Sequence, residues 1–273
     1  MTILQSIVLG IIQGLTEFLP ISSSAHLVIV PYLLEWKIPA NEAFVFDVLV
    51  QMATLVAVII FFWRDLLAII RAFLLGLFHK KPFQNPQARL GWYLILATIP
   101  AGILGFILKD SVEGAFANPL ATAILLLFTA GILLIAERTG KRTRGMENLN
   151  WKDALWIGSA QAFSIFPGIS RSGATITGGM TRDLERPTAT RFAMLMSIPI
   201  MLAAGLLAGF ELLQIPRLTS QLPVFLPGFA ASAITGYLSI RWLLNYLTRH
   251  SLYGFSIYCT ALALFVLGMI MLN

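Results

Sequence analysis

Charge is what this chain has least of. Only 12% of its 273 residues are Asp, Glu, Lys or Arg, where soluble domains carry about 25%. So small a supply cannot cover a water-facing surface. With 58% hydrophobic residues, a soluble enzyme and a disordered protein are both excluded. Cysteine is nearly missing too. The one residue, Cys259, sits in an apolar run, which excludes a disulfide framework and a thiolate metal site. The N-terminus lacks a basic stretch and a small-residue cleavage site, so no cleavable signal peptide is expected. A net charge of +6 would suit nucleic acid, but the basic residues lie in short loops between apolar runs. That is the pattern of a membrane protein's inner loops, and no nucleic-acid partner is expected.

What is present is apolar length, with a mean hydropathy of +0.82. The expected fold class is an all-α polytopic membrane protein, one integral domain over residues 1–273. Six stretches are long enough to span a bilayer, near 43–63, 90–108, 119–136, 189–210, 223–247 and 252–272. Two others, 2–35 and 153–181, are apolar but broken at their centres. Pro20 and Ser22-Ser23-Ser24 interrupt the first; Pro167-Gly168 and Ser170-Arg171-Ser172 interrupt the second. Each predicts a re-entrant pair of short helices meeting at a polar elbow. Such backbone survives at membrane depth only when buried in protein or lining a wet cavity.

With both broken stretches returning to the side they entered, fifteen of the nineteen Lys and Arg fall on one side, in 64–89, 138–152, 182–191 and 241–249. Lys37, Lys109 and Arg217 fall on the other, and Arg171 is left inside. The basic side is then cytoplasmic, and the first broken stretch enters from the outer side. Residues 64–78 read as an amphipathic surface helix, and Trp36, Trp63 and Trp92 as interfacial anchors.

A shift of 148 residues lays one broken stretch on the other. Gly10 falls on Gly158, Gln13 on Gln161, Thr16 on Ser164, Phe18 on Phe166, Ile21 on Ile169, Ser22 on Ser170 and Ser24 on Ser172. Three spans follow each. The first repeat is 1–137 with its hairpin at 2–35, and the second is 150–273 with its hairpin at 153–181. In the assigned topology the two are inverted, a plan that places a functional site where broken helices meet near the midplane.

An ionisable residue at that depth is costly and is read as functional. Gln13 and Glu17 share one helical face, and His26 follows nine residues after Glu17 across the serine-rich break. Arg171 is the strongest single signal. Its planar fork suits phosphate or carboxylate, and a helix starting beyond it would offer free N–H groups to an anion. A second reading pairs Arg171 with Glu17 directly, and both hold if the pair parts when substrate arrives. A carboxylate, an imidazole, an arginine and several hydroxyls suit phosphoryl transfer, which needs positioning and charge neutralisation above all. Glu17 beside Gln13 could hold a hard divalent cation. A site inside a membrane expects a lipid phosphate or diphosphate. Asp47 and Gln51, on one face of their span, could line the same cavity.

The Gln13-x-x-x-Glu17 pair, the serine-rich stretch ending at His26, and the run Pro167-Gly168-x-Ser170-Arg171-Ser172-x-x-Thr175 resemble the undecaprenyl-diphosphate phosphatases of the BacA type. The resemblance runs over the whole chain. It implies removal of the terminal phosphate from undecaprenyl diphosphate, recycling of the cell-wall carrier lipid, and resistance to bacitracin, which acts on that substrate. It implies that Gln13 and Glu17 help hold Mg²⁺ or Ca²⁺, and that Ser22, Ser170, Arg171, Ser172 and Thr175 bind the diphosphate. Glu17, Ser23, His26 and Arg171 are the implied catalytic set. Either Ser23 or His26 attacks phosphorus with the other assisting proton transfer, Ser23 being favoured. A homodimer is compatible with it. Gln13 stands where the family also accepts Glu, and Ser24-Ala25 where Thr-Gly is commoner. The acid-phosphatase-like lipid phosphatases are excluded: their lysine position holds Gly179, no Ser-Gly-His occurs, and Thr177 stands where their histidine belongs. A transporter of polyprenyl phosphate is the alternative from another class, because inverted repeats and a midplane anion site are transporter features.

Overall fold

The computed structural model describes residues 1–108, 118–212 and 218–272, and among these the chain is helical with no β-strand. Lys109 and Arg217, two of the three cations expected on the outer side, lie outside the described residues. Among the described residues eleven α-helices follow one another: α1 (Ile3–Phe18), α2 (Ser23–Leu33), α3 (Ala40–Phe61), α4 (Trp63–Phe78), α5 (Pro86–Ile107), α6 (Pro119–Thr139), α7 (Trp151–Ala162), α8 (Arg171–Met180), α9 (Arg186–Leu212), α10 (Leu218–Tyr246) and α11 (Tyr253–Leu272). Six of them, α3, α5, α6, α9, α10 and α11, are long and apolar enough to cross a bilayer. The other helices flanking the two elbows are short. α1 and α2 have 16 and 11 residues, α7 and α8 have 12 and 10. At 1.5 Å per residue none exceeds about 24 Å, less than the roughly 30 Å hydrocarbon core.

Hydrophobicity cannot drive helices together inside lipid, so close backbone approach and interhelical hydrogen bonds must do it. The α1–α10 seam shows how. Ser6, Gly10 and Gly14 on α1 meet Gly228, Ser232 and Gly236 on α10, two small-residue stripes at four-residue spacing. A methyl added at Gly10 would run into the Gly228 carbonyl, and one at Gly14 into Thr235 and the Ser232 carbonyl. Across the seam Gly228 N–H donates to Ser6 Oγ (3.2 Å) and Ser239 Oγ to the Leu15 carbonyl (2.9 Å). Ser232 Oγ donates to the Val50 carbonyl (3.0 Å) and brings α3 into the same cluster. In the other half α7 packs on α5, where a methyl at Gly158 would strike the Ala97 carbonyl. The packing is reciprocal: α1 and α3 embrace α10, α7 and α9 embrace α5, while α3 packs on α9 and α6 on α11. The 64–78 stretch is α4, held against α5 by Ile69 and Ala72 with most of its other apolar side chains exposed.

At one end of the bundle the polar residues form ion pairs that tie loops to helix termini. Asp153, fully buried, accepts from Arg144 (2.6 and 3.2 Å) and from Arg182 Nε (2.8 Å), and closes a capping box with Asn150 at the start of α7. Glu137 at the end of α6 accepts from Arg186 (2.5 and 2.7 Å) and from the Leu252 N–H (2.7 Å), and pairs with Arg142. Arg191 reaches Asp65 on α4 (2.6 Å). Five arginines that charge counting treats as orientation signals are thus structural ion-pair partners as well.

Burial pushes the Asp153 carboxyl up, but the bonds from Arg144, Arg182 and the Asn150 backbone outweigh it and hold it below its ordinary value of 3.8. A depressed carboxyl contributes stability above the unfolded value and loses it as pH falls through the folded one. Asp153→Ala should therefore destabilise the protein by about 3–5 kcal/mol, as expected when one partner of a buried pair is removed. Thermal melts in detergent would show the gap between native and variant close as pH drops below about 4. A gap independent of pH would mean that the charge of Asp153 does not matter.

Candidate active site at the two elbows

The elbows form because the local sequence cannot continue a helix. α1 stops at Phe18; Pro20 disfavours helical backbone in the residue before it, and Leu19 is extended. Ser22 then turns the chain at φ 67°, ψ 93°, a conformation that costs a non-glycine residue on the order of 1–3 kcal/mol. In the second elbow the turn falls to Gly168 at φ 102°, where glycine is free of that cost. Beyond each turn a serine caps the next helix. Ser22 Oγ accepts from Ala25 N–H (3.4 Å) and lies 3.1 Å from Ser24 Oγ; Ser170 Oγ accepts from Gly173 N–H (3.0 Å) and lies 3.1 Å from Ser172 Oγ. The 148-residue offset maps one set of contacts onto the other. Thr129 on α6 pins the second elbow, donating to the Gly168 carbonyl (2.8 Å) and accepting from Ser170 N–H (2.9 Å).

The two elbows touch. Ser172 Oγ donates to the Leu19 carbonyl (2.8 Å), and Arg171 Nη2 donates to Glu17 Oε1 in an ion pair. The other oxygen, Glu17 Oε2, accepts from Ser23 Oγ (2.5 Å) and Gln13 Nε2 (2.9 Å). Gln13, Glu17, Ser23 and Arg171 thus form one bonded cluster, with Glu17 only 9% exposed. Two helix N-termini, those of α2 and α8, end at it, each equivalent to roughly half a positive charge. Glu17 and Arg171 cancel, and the C-terminal end of α1, at Phe18 beside Glu17, offsets part of the positive charge of those N-termini.

Other expected residues stand differently. Ser170 and Thr175 are each 1% exposed, and their hydroxyls serve backbone: Ser170 caps α8, and Thr175 Oγ1 donates to the Arg171 carbonyl (2.8 Å). Ser22 is buried and caps α2. His26 is not bonded to Ser23. Its Nδ1 lies 2.7 Å from the Ser22 carbonyl and its Nε2 2.7 Å from the hydroxyl of Tyr258 on α11. Asp47 and Gln51 are half-buried on α3, outside the bonded cluster.

Gln13 Oε1 is buried without a partner among the described residues, and so are both amide atoms of Gln161, its counterpart in the second half. Thr129 and Tyr258 escaped the sequence reading. A lone threonine or tyrosine in an apolar span gives no pattern, and only the fold brings each to an elbow. If the Glu17–Arg171 pair holds the elbows together, Glu17→Ala and Arg171→Ala should each lower the melting temperature. The double variant should then be less damaged than their sum, with a coupling of about 1–3 kcal/mol. Additive losses would show that the pair is not what joins them.

With this geometry in place, comparisons place the chain. Residues 6–265 match the family model described as bacitracin resistance protein BacA. A protein of Thermomicrobium roseum named undecaprenyl-diphosphatase is 41% identical over 98% of each chain. One of Chlorobium phaeovibrioides with the same name is 42% identical over 94% of this chain and 93% of its own. One of Methanosphaera stadtmanae, again so named, is 40% identical over 96% of both.

Proposed function

The chain belongs to the BacA family of bacitracin resistance proteins, and from that premise we propose that it is a membrane undecaprenyl-diphosphate phosphatase whose chemistry runs at the joined elbows. One observation carries the assignment of the site: a serine hydroxyl held 2.5 Å from a carboxylate that an arginine also grips. This is a nucleophile with its base beside a group that binds phosphate.

Substrate phosphate competes with Glu17 for Arg171, and the guanidinium fork suits it. The free N–H groups at the start of α8, with Ser172, complete the cradle. Release of Arg171 leaves Glu17 bound to Ser23. Ser23 Oγ attacks the terminal phosphorus and its proton passes to Glu17. The bond to the bridging oxygen breaks, and undecaprenyl phosphate leaves. Water then displaces the serine from phosphorus, Glu17 returns the proton to Ser23 Oγ, and inorganic phosphate departs. His26, one turn along α2 from Ser23, assists proton transfer. Between the two candidates for nucleophile, the Glu17 contact favours Ser23.

A divalent cation fits this donor set. Gln13 Oε1 is an oxygen without a partner and Glu17 a carboxylate, both of the hard type that Mg²⁺ or Ca²⁺ takes. Among the described residues no cluster of three His, Cys, Asp or Glu side chains offers a full protein shell, so waters and substrate phosphates would supply the remaining ligands. Once bound, the ion neutralises phosphate charge.

The elbows are read as re-entrant and the two halves as inverted repeats, since their flanking helices are too short to span and their packing is reciprocal. The ion-paired end then faces the cytoplasm of the inner membrane and the Glu17 elbow opens outward. Bacitracin, acting on the same substrate, would be countered by this activity. A homodimer is compatible with the apolar outer surface. The polyprenyl-phosphate transporter is the less favoured reading, because the Ser23–Glu17 pair is not required for binding an anion.

Purified protein should release phosphate from undecaprenyl diphosphate, and a chelator should abolish release. Arg171→Ala should lower kcat/KM about 100-fold or more, the scale for removing one preorganised charge-stabilising group. No release with any divalent cation would sink the enzyme reading. Unchanged release by Arg171→Ala would sink the site.

A further inference from the structure

We propose that Tyr258 is a positioning residue for His26, holding the imidazole ring in one orientation and keeping its Nε2 in contact with a hydroxyl that can serve either protonation state. The proposal rests on the reading above that His26 serves the reaction.

The argument starts at Nδ1. It lies 2.7 Å from the Ser22 carbonyl oxygen, and a carbonyl can only accept. Nδ1 must therefore carry a proton in every bonded state. Ser22 aims that carbonyl from its left-handed backbone, φ 67°, so local strain at the elbow is what presents the acceptor. With Nδ1 protonated, the neutral ring has its lone pair on Nε2, which would make a buried and unsatisfied acceptor.

Tyr258 meets that lone pair at 2.7 Å, and the two rings lie parallel within 2°. Its O–H donates to Nε2 when the ring is neutral. When Nε2 gains a proton, the hydroxyl rotates and its oxygen accepts instead. A phenol adapts in this way, whereas a Phe ring offers nothing in either state.

Both partners are fixed from behind. His26 is 6% exposed, whereas Tyr258 is 44% exposed. α11 is tied to α6 by Ser256 Oγ, which donates to the Ala130 carbonyl (2.7 Å). Cys259, next to Tyr258, lies with its sulfur 3.8 Å from the Pro20 carbonyl of the first elbow. The tyrosine is thus carried by a helix from the second half of the chain and set against the His26 of the first. Nothing in the bonded cluster of Glu17, Ser23 and Arg171 replaces it.

The test compares Tyr258→Phe, His26→Ala and the double variant for phosphate release from undecaprenyl diphosphate, with ¹⁵N spectra of His26 in detergent. Tyr258→Phe should lower kcat about tenfold with KM within twofold, the scale of one lost hydrogen bond. It should add no further loss on top of His26→Ala. The spectrum should show the Nδ1–H tautomer in both proteins, with the Nε2 resonance displaced in Tyr258→Phe, where it has lost its hydrogen-bond partner. Unchanged kcat, a loss that multiplies with that of His26→Ala, or an unchanged spectrum each overturns the proposal. Full activity of His26→Ala would instead overturn the role of His26, and the spectrum would still report whether Tyr258 holds the ring. Ile257→Ala, a change at the neighbouring exposed position, should leave both readouts alone.

Discussion

A carboxylate and a guanidinium placed inside a membrane must find each other, and the rest of this structure is arranged around that necessity. Either group alone at the centre of a bilayer costs about 2.5–3.5 kcal/mol on insertion scales. Their attraction at contact in a partly polar interior is of the order of 4 kcal/mol. Unpaired, the two together cost about 5–7 kcal/mol, so pairing recovers much of that cost without abolishing it. In the proposed reaction a diphosphate brings more charge than Glu17 and takes the arginine. The same contact that holds the first elbow against the second is therefore one that substrate can undo.

Soft elbows of this kind need rigid frames. The hairpins are braced where lipid offers least help: by small-residue seams in which Gly10, Gly14 and Gly158 let backbones touch, and by hydroxyl-to-carbonyl bonds from Ser232, Ser239 and Thr129. At the far end, Asp153 and Glu137 each gather two arginines and a backbone N–H. The start of α7 is fixed by ions while its elbow is fixed by Thr129. The backbone on both sides of the elbows is thus tied to several other helices. That suits a reaction whose demand on the protein is positioning.

Much of this was legible in the residues. Long apolar runs define the six spanning helices to within a few residues, because lipid leaves a helix no alternative. Proline, glycine and serine mark the elbows, because those residues end helices and cap new ones. Arg171 and Glu17 stand out because charge is so rare. What stayed hidden is whatever depends on one helix meeting another. Ser170 and Thr175 look like ligands in a motif, but their hydroxyls are turned into their own helix, a choice made by rotamer and neighbour. Tyr258 lies 232 residues from the His26 it touches, in a run that reads only as apolar. The arginines of the basic loops served charge counting well, yet that count could not say that Arg144, Arg182 and Arg186 hold the bundle's end together.

The two elbows share their serine-capped helix starts but not their charged and nucleophilic side chains, and the proposed chemistry rests on that difference. At matching positions Glu17 faces Ile165, Ser23 faces Arg171 and His26 faces Ala174, while Gln13 and Gln161 are the same. Suppose the copy were faithful and position 165 were also a glutamate. Two carboxylates would then face one arginine, and the surplus negative charge would repel a diphosphate. An arginine at position 23 would restore attraction but remove the serine that sits on Glu17. Symmetry supplies a cradle of capped helix ends, and departure from symmetry makes that cradle reactive. The partnerless amide of Gln161 is what the absence of charge at Ile165 leaves behind: in the first half the carboxylate four residues on receives the amide N–H, and in the second there is no carboxylate to do so.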